Sequence, residues 1–199
     1  MWMTVDDCAF GYRTSRFKRE PNRWVVLRVR MRLDVRAEAT VKYAEVASGL
    51  HVRVGERAPL AVIHSKVLEL RAGKGMVLRA DDPDSVSAGS FFTNPSVDRE
   101  KLDDVLARAE CLGIARDSVP VFSAQNGMFK LAAAWLIERA GIQKGYALGQ
   151  ARVSTKHVLA LVNAGGATTR ELLELAAVVQ GRVEQQWGIA LEREPVYVA

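Results

Sequence analysis

A serine and an asparagine share one short segment with two aromatic residues, Gly89-Ser90-Phe91-Phe92-Thr93-Asn94-Pro95. Glycine at its start permits positive φ or a close approach to a ligand, and the closing proline favours an extended Asn94. The two phenylalanines can fix the segment in a core, which would hold the Ser90 hydroxyl where it can pass a proton. A buried turn that carries only core phenylalanines is the alternative interpretation, and the spacing alone favours neither.

Two further polar residues stand in apolar or glycine-bearing sequence. Arg13 follows Phe10-Gly11-Tyr12, and Glu194 interrupts the last apolar stretch just before Pro195. A guanidinium can stabilise negative charge on a carboxylate substrate. A buried glutamate can hold the other carboxylate oxygen, or donate a hydrogen bond if its pKa is raised. For either residue alone, a structural role in a salt bridge or a helix cap is more common than a role in binding a substrate.

The elements that must position these residues begin with a basic segment, residues 24–33. In it Leu27, Val29, Met31 and Leu33 alternate with three arginines, which predicts a half-buried strand. Its arginine face could bind nucleic acid, but no interleaved exposed aromatics accompany it, so solvated arginines are the favoured interpretation.

Helical spacing and capping residues predict most of the remaining elements. Irregular alternation of helices and strands indicates an α+β fold. The predicted helices start at Pro59, Asp98, Phe129 and the Thr168–Glu171 capping box, and they end near Gly73, Gly113, Ala140 and Trp187. The predicted strands are 158–162 and 189–198.

The composition excludes several classes of protein. The chain has 199 residues, of which 49% are hydrophobic, and a net charge of +5, so it can bury a core and bind anions. It contains no apolar run of eighteen residues and no apolar leader at its amino end. Two distant cysteines and three scattered histidines predict no metal site and a cytoplasmic protein with reduced thiols.

Several blocks of the chain together resemble the UDP-N-acetylenolpyruvoylglucosamine reductase family, also called UDP-N-acetylmuramate dehydrogenase. Blocks in the same order over nearly the whole chain are more specific than any single motif. The blocks are residues 10–18, 71–78, 88–95, 120–122, 129–138 and 194–196.

The resemblance implies a reaction and a catalytic set. In this family NADPH reduces an enzyme-bound FAD, and the flavin then delivers hydride to UDP-N-acetylglucosamine enolpyruvate during synthesis of cell-wall peptidoglycan. Ser90 matches the family's proton donor. Arg13 and Glu194 match the residues that polarise the substrate carboxylate and stabilise the enol.

The resemblance also implies substrate-binding residues. Lys74 and Asn94 match positions that bind the substrate diphosphate, for which a cation and an amide donor are suited. Tyr43 matches a tyrosine that covers this diphosphate. Lys130 and His157 fall near positions that contact the uridine and the sugar, although core support or surface exposure is an equal alternative for each.

One departure from the family is large. The family's amino-terminal region, whose loops cradle the FAD pyrophosphate, has no counterpart in this sequence. Residues 1–58 are therefore predicted to be the remainder of a flavin-binding α+β domain, and residues 59–199 a mixed α+β substrate-binding domain. A UDP-sugar binding fragment without redox activity is the alternative, and neither nucleic acid nor membrane is expected as a partner.

Overall fold

The structure is a computed structural model that describes residues 1–11, 14–33, 35 and 37–197. The chain separates into two compact units, Met1–Ala37 and Glu38–Ala199, and each is described by itself. The predicted domain boundary at residues 58 and 59 stays a prediction.

Short helices begin the first unit. Helix α1 spans Val5–Cys8 and helix α2 spans Arg16–Arg19. Thr4 and Asp7 form a capping box at the start of α1, so its first N–H groups are satisfied by side chains. The rings of Phe17 and Trp24 meet edge to face with their centres 6.1 Å apart.

The strand predicted over residues 24–33 is wrong. The segment has no regular secondary structure and joins no strand in the described part of the chain. Its apolar side chains are exposed as well, including Leu27 at 86% and Val29 at 69%. A strand requires a neighbour for its backbone N–H and C=O groups, and the alternating pattern cannot show whether that neighbour is present.

The second unit opens with a small helix pair on a strand pair. Strands β1 (Glu38–Thr40) and β2 (Arg57–Pro59) pair antiparallel, and helices α3 (Ala44–Leu50) and α4 (Leu60–Gly73) pack together. The prediction for α4 is confirmed. These elements enclose a small cluster of buried residues, Val41, Val46, Ala47 and Ala58.

Two antiparallel sheets follow a 3₁₀ turn at Pro83–Ser85. Their strands are β3 (Ser87–Ser90), β4 (Ser96–Val97), β5 (Val121–Ser123), β6 (Phe129–Leu131), β7 (Ala147–Leu148), β8 (Ala151–Val153) and β9 (Ala160–Asn163). The four-stranded sheet has the order β3-β9-β8-β7, and the three-stranded sheet has the order β4-β6-β5.

Three helices cover the main core. They are α5 (Arg99–Cys111), α6 (Ala133–Arg139) and α7 (Thr169–Trp187). The predicted capping box is confirmed at the start of α7, and Asp98 caps α5. Trp187 is fully buried and its indole N–H donates to the carbonyl of Leu136 at 3.0 Å. Within the described residues, no helix is long and apolar enough to cross a bilayer.

The α+β prediction is confirmed as a mixture of helices and antiparallel strands, with three local corrections. Phe129–Leu131 is a strand rather than a first helical turn, because β4 and β5 pair with it on both sides. The strand predicted from residue 158 begins at Ala160. The closing strand predicted over 189–198 is reduced to one bridge between Phe92 and Arg193, and residue 198 lies outside the described residues.

Candidate functional site

Ser90 is the last residue of β3, where the sheet pairing is irregular. It lies opposite Ala160 of β9, and the register shifts between Ser87 and Ser90. Gly89 has a φ of +78°, the left-handed conformation that glycine adopts without strain. The Ser90 hydroxyl is partly exposed and makes no hydrogen bond within the described residues. It is therefore available to a ligand on a fixed backbone.

The residues after Ser90 fix that backbone. Phe91 and Phe92 are 8% and 1% exposed, and their ring centres lie 5.3 Å apart. The Phe91 N–H donates to the carbonyl of Leu159 at 2.7 Å. The prediction that the phenylalanines anchor the segment is confirmed, and the hydroxyl next to them is held at the end of the strand.

The backbone of Glu194 lies beside this segment. Its N–H donates to the carbonyl of Phe91 at 2.9 Å, and the Thr93 N–H donates to the carbonyl of Glu192 at 3.0 Å. The Glu194 side chain is exposed and not buried. Among the described residues, Leu191 is the last apolar residue that is buried in the core. Arg13 lies outside the described residues.

His157 lies in the turn that leads into β9, next to the Ser90 strand. Its carbonyl accepts from the Ala160 N–H at 3.0 Å, and Ser154 Oγ accepts from the N–H groups of Lys156 and His157. Burial of the half-buried ring lowers the pKa of His157 below 6.5, and the positive charges of Lys74 and Lys144 lower it further. The ring is thus neutral at pH 7 and lies in the field of two lysines.

Lys74 is paired with a residue that the sequence analysis missed. It ends α4, and its Nζ lies 2.6 Å from Oε2 of Glu45 in the first turn of α3. Tyr43 directly precedes α3 and is 75% exposed. The packing of α3 on α4 thus brings Tyr43, Glu45 and Lys74 to neighbouring positions. No sequence pattern singles out Glu45, because its partner Lys74 lies twenty-nine residues away in sequence.

Asn94 and Lys130 lie at the other sheet. Asn94 Oδ1 accepts from the backbone N–H of Ala133 at 3.0 Å, so the amide NH₂ group is left for a ligand. Lys130 is in the central strand β6, opposite Ser96 of β4. The two predicted substrate residues thus belong to one local structure. Both residues lie at the three-stranded sheet, whereas Ser90 belongs to the four-stranded sheet, in which β3 pairs with β9.

A buried ionic network supports the turn that carries His157. Asp84 is 3% exposed and accepts hydrogen bonds from the N–H and hydroxyl of Thr155 and from Arg152 Nη2, the last at 3.1 Å. Asp82 accepts from Lys156 Nζ at 2.7 Å. The burial of these aspartates has no local signal in the sequence, because Thr155 and Lys156, which bind them, lie about seventy residues away.

The same network also contacts the segment that follows Lys74. A Cβ added to Gly75 would lie 3.0 Å from the carbonyl oxygen of Asp84, so the two backbones are packed closely. Burial of Asp84 raises its pKa, but the hydrogen bonds from Thr155 and the charge of Arg152 outweigh burial, and the pKa lies below 3.8. Asp84 therefore contacts the Lys74–Gly75 turn through its backbone and the His157 turn through its ionised carboxylate.

The resulting arrangement suits an anionic ligand that takes part in a proton transfer. A fixed serine hydroxyl, a neutral imidazole and a lysine lie on connected turns, and amide and lysine donors lie on the second sheet. Among the described residues, no three His, Cys, Asp or Glu side chains are grouped to hold a metal ion. The site can bind phosphate through charge-assisted hydrogen bonds and can move a proton at Ser90 Oγ.

Comparisons with known proteins agree on one family. The family described as UDP-N-acetylenolpyruvoylglucosamine reductase, C-terminal domain, matches residues 82–198. UDP-N-acetylenolpyruvoylglucosamine reductase of Streptomyces coelicolor is 52% identical over 195 residues, which cover 96% of this chain and 51% of the relative. The Thermobifida fusca reductase is 46% identical over 98% of this chain and 55% of its own length.

A solved structure of the same name, from Thermus caldophilus, aligns over 71% of this chain and 37% of its own, with 26% identity and a TM-score of 0.35. The chain thus spans about half the length of the curated relatives that it matches.

Proposed function

Because the chain belongs to the UDP-N-acetylenolpyruvoylglucosamine reductase family, through its C-terminal domain, we propose that it is the substrate-holding part of a peptidoglycan-precursor reductase. The proposed reaction is the NADPH-dependent, FAD-mediated reduction of UDP-N-acetylglucosamine enolpyruvate to UDP-N-acetylmuramate. The observation that carries the proposal is Ser90, held at the end of β3 by Gly89 and two buried phenylalanines, beside the His157 turn.

We assign the proton transfer to Ser90 Oγ. Hydride addition to one carbon of the enolpyruvyl double bond leaves an enol, and the neighbouring carbon then takes the Ser90 proton. Water returns a proton to the serine oxygen. A hydroxyl is a weak acid, so its contribution depends on orientation, which the fixed backbone of residues 89–92 supplies. Arg13 and Glu194 are proposed to hold the substrate carboxylate, and the Glu194 backbone is bonded to Phe91.

We assign the substrate diphosphate and uridine to the basic and amide groups. Lys74 and the Asn94 amide are proposed to bind phosphate oxygens, and Tyr43 is proposed to cover them. Lys130 is proposed to contact the uridine side. The exposure of Tyr43 and the free amide NH₂ of Asn94 support these roles, because both groups can reach a ligand without breaking a core contact.

The Gly165–Gly166 loop does not fit a flavin pyrophosphate. Gly165 and Gly166 precede the long helix α7, an arrangement that elsewhere cradles phosphates. Their N–H groups and that of Ala167 donate to Asn163 Oδ1 at 2.8–3.0 Å, and Glu171 accepts from the Thr168 N–H. The N–H groups of this loop therefore already have hydrogen-bond acceptors within the protein. FAD, which would supply the hydride, is proposed to be held by the half of the reductase that this chain does not cover.

Binding of UDP-N-acetylglucosamine enolpyruvate by the chain without redox activity is the second candidate, favoured by this closed loop. Isothermal titration of the chain with this compound, and turnover with the visible spectrum of a full-length chimera that adds the uncovered half of the Streptomyces coelicolor relative, separate the two functions. Binding heat from the chain together with a flavin band and turnover in the chimera supports the reductase, whereas binding heat with neither a flavin band nor turnover in the chimera supports a binding fragment. Absence of binding heat would contradict both.

Substitution of Ser90 tests the proposed reaction in a full-length chimera that joins the uncovered half of the Streptomyces coelicolor relative to this chain. In Ser90→Ala we expect flavin reduction by NADPH to be unchanged and product formation to fall about a hundredfold to ten-thousandfold. Ser96→Ala, at an exposed position of β4, is the matched control. Normal turnover of Ser90→Ala would remove Ser90 from the proton-donor role.

A further inference from the structure

After α7 the chain reverses direction and returns alongside the helix. Gly188 makes the reversal with a φ of +64°, and Ile189 and Leu191 are each 3% exposed, so the start of the returning segment is fixed in the core. The rise of a helix from Gln180 to Trp187 and an extended path from Gly188 to Leu191 both span about 10 Å. The return therefore brings Leu191 level with Gln180.

One edge of the returning segment is bonded to the chain that follows Ser90. Arg193 forms an antiparallel bridge with Phe92, and two backbone hydrogen bonds of 2.9 and 3.0 Å flank this bridge. A single bridge is too short a ladder to be stable by itself. The position of the Glu194 backbone relative to Ser90 therefore depends on what fixes the other edge of the segment.

Gln180 of α7 fixes that other edge with both ends of its side-chain amide. Its Nε2 donates to the carbonyl of Leu191 at 2.7 Å, and its Oε1 accepts from Nε and Nη2 of Arg193 at 3.0 and 2.9 Å. The two ends cannot be exchanged, because a flipped amide would turn its NH₂ group toward the guanidinium. Val179 and Val183 of the same helix are buried in the main core, so α7 is a rigid support for this amide.

We propose that Gln180 is a positioning residue, which keeps the backbone of Glu194 against the chain that carries Ser90. The inference rests on the proposed function for its effect on the reaction, whereas the contacts of Gln180 are a property of the chain itself. A purely structural role is the alternative. Loss of folded enzyme would lower flavin reduction and product formation equally, but loss of position would lower product formation alone.

Hydrogen exchange of the chain, followed by NMR, tests the contacts without any reaction. Gln180→Met keeps the length and the helix propensity of the side chain and removes its donor and acceptor. We expect the amides of Thr93 and Glu194, whose bonds flank the bridge, to exchange at least about tenfold faster in this variant. The Phe91 amide, whose bond lies on the β9 side, should stay within about twofold. Gln185→Met, at an exposed position of α7, is the matched control and should change none of them.

The full-length chimera tests the effect on the reaction. In Gln180→Met we expect product formation to fall about tenfold, with flavin reduction by NADPH and the substrate KM within about twofold of the wild type. An equal fall in both half-reactions would overturn the positioning role, as would unchanged product formation. A wild-type chimera without turnover would contradict the proposed function, whereas normal turnover with unchanged exchange in Gln180→Met would overturn this inference alone.

A double variant shows whether Gln180 acts through the returning segment. Arg193→Met removes one part of the same contact, so we expect it to lower product formation about threefold. The variant with both changes should be no slower than Gln180→Met, because the contact is already lost. Multiplied effects, about thirtyfold in total, would show that the two residues act independently and would overturn the proposal.

Discussion

At the scale of single residues, the ion pair between Lys74 and Glu45 competes with the proposed ligand. Nζ and Oε2 lie 2.6 Å apart, and the side chains are 38% and 54% exposed. Exposed ion pairs of this kind contribute at most about 1 kcal/mol, since water and salt screen both charges. A diphosphate can therefore replace Glu45 as the partner of Lys74, because breaking this ion pair costs little free energy. The charge of Glu45 determines the size of that free-energy cost.

Removing the Glu45 charge should strengthen binding of UDP-N-acetylglucosamine enolpyruvate. We expect Glu45→Gln to tighten the Kd about twofold to fivefold at low salt, and the difference to shrink near about 0.5 M salt. Isothermal titration at several salt concentrations measures this change. Glu69→Gln is the control, because Glu69 pairs with Lys66 on α4 at 2.7 Å. An unchanged or weaker affinity in Glu45→Gln would contradict the competition.

His157 should make stability depend on pH near neutrality. Burial lowers its folded pKa below 6.5, and Lys74 and Lys144 act in the same direction. Below pH 6.5 the unfolded chain takes up the proton first, so stability falls as the pH drops from 6.5 to the lower folded pKa. Urea midpoints at about pH 7.5 and about pH 5.5 should differ less in His157→Gln than in the wild type. His64→Gln, at an exposed position of α4, should keep the wild-type difference.

The sequence indicated some residue environments and missed others. Gly89 and the phenylalanines predicted a held Ser90, because chain stiffness and aromatic burial are local properties. The apolar neighbours of Glu194 gave no indication that its side chain is exposed. Exposure depends on where the core ends, which only tertiary packing determines.

At the scale of elements, Asp84 connects turns that are distant in sequence. Asp84→Asn should destabilise the protein by about 2–3 kcal/mol, because Arg152 would lose a buried charge partner and Thr155 a charged acceptor. It should also weaken substrate binding by loosening the Lys74 and His157 turns. Chemical unfolding and titration measure the two effects. Asp81→Asn, in the exposed pair with Arg79, should change neither.

The pH dependence of Asp84 has a definite sign. Its folded pKa is depressed below 3.8, so its contribution to stability is complete above 3.8 and is lost as the pH falls through the folded value. Wild type and Asp84→Asn should therefore converge in stability toward low pH. A constant gap between them down to about pH 2 would show that packing, and not the charge, is the cause.

Helices were predicted correctly where capping residues mark their first turn. Asp98 and the Thr168–Glu171 box fixed the starts of α5 and α7, because capping is a local hydrogen-bond requirement. Residues 129–131 were predicted as helix, since a short apolar run has no period that separates helix from strand. Pairing of β6 with β4 and β5 decided that case, and it depends on residues far away in sequence.

At the scale of the whole molecule, the two units differ in how much they bury. Both hydrophobic clusters lie within Glu38–Ala199, whereas the one buried apolar residue of Met1–Ala37 is Cys8 among the described residues. The alternating pattern of residues 24–33 predicted a strand, but such a pattern does not show whether a neighbouring strand is present, and none pairs with this segment in the described part of the chain.

Trypsin should reveal this difference directly. Cleavage is expected first after Arg28, Arg30 and Arg32, since exposed chain without backbone hydrogen bonds fits a protease site. The remaining fragment should resist further cleavage and keep a cooperative thermal transition. Arg108 and Arg182 are internal controls, because each lies in a helix that packs on the main core. Mass spectrometry of timed digests measures the order of cuts. Equally fast cleavage at Arg108 or Arg182 would contradict a stable second unit.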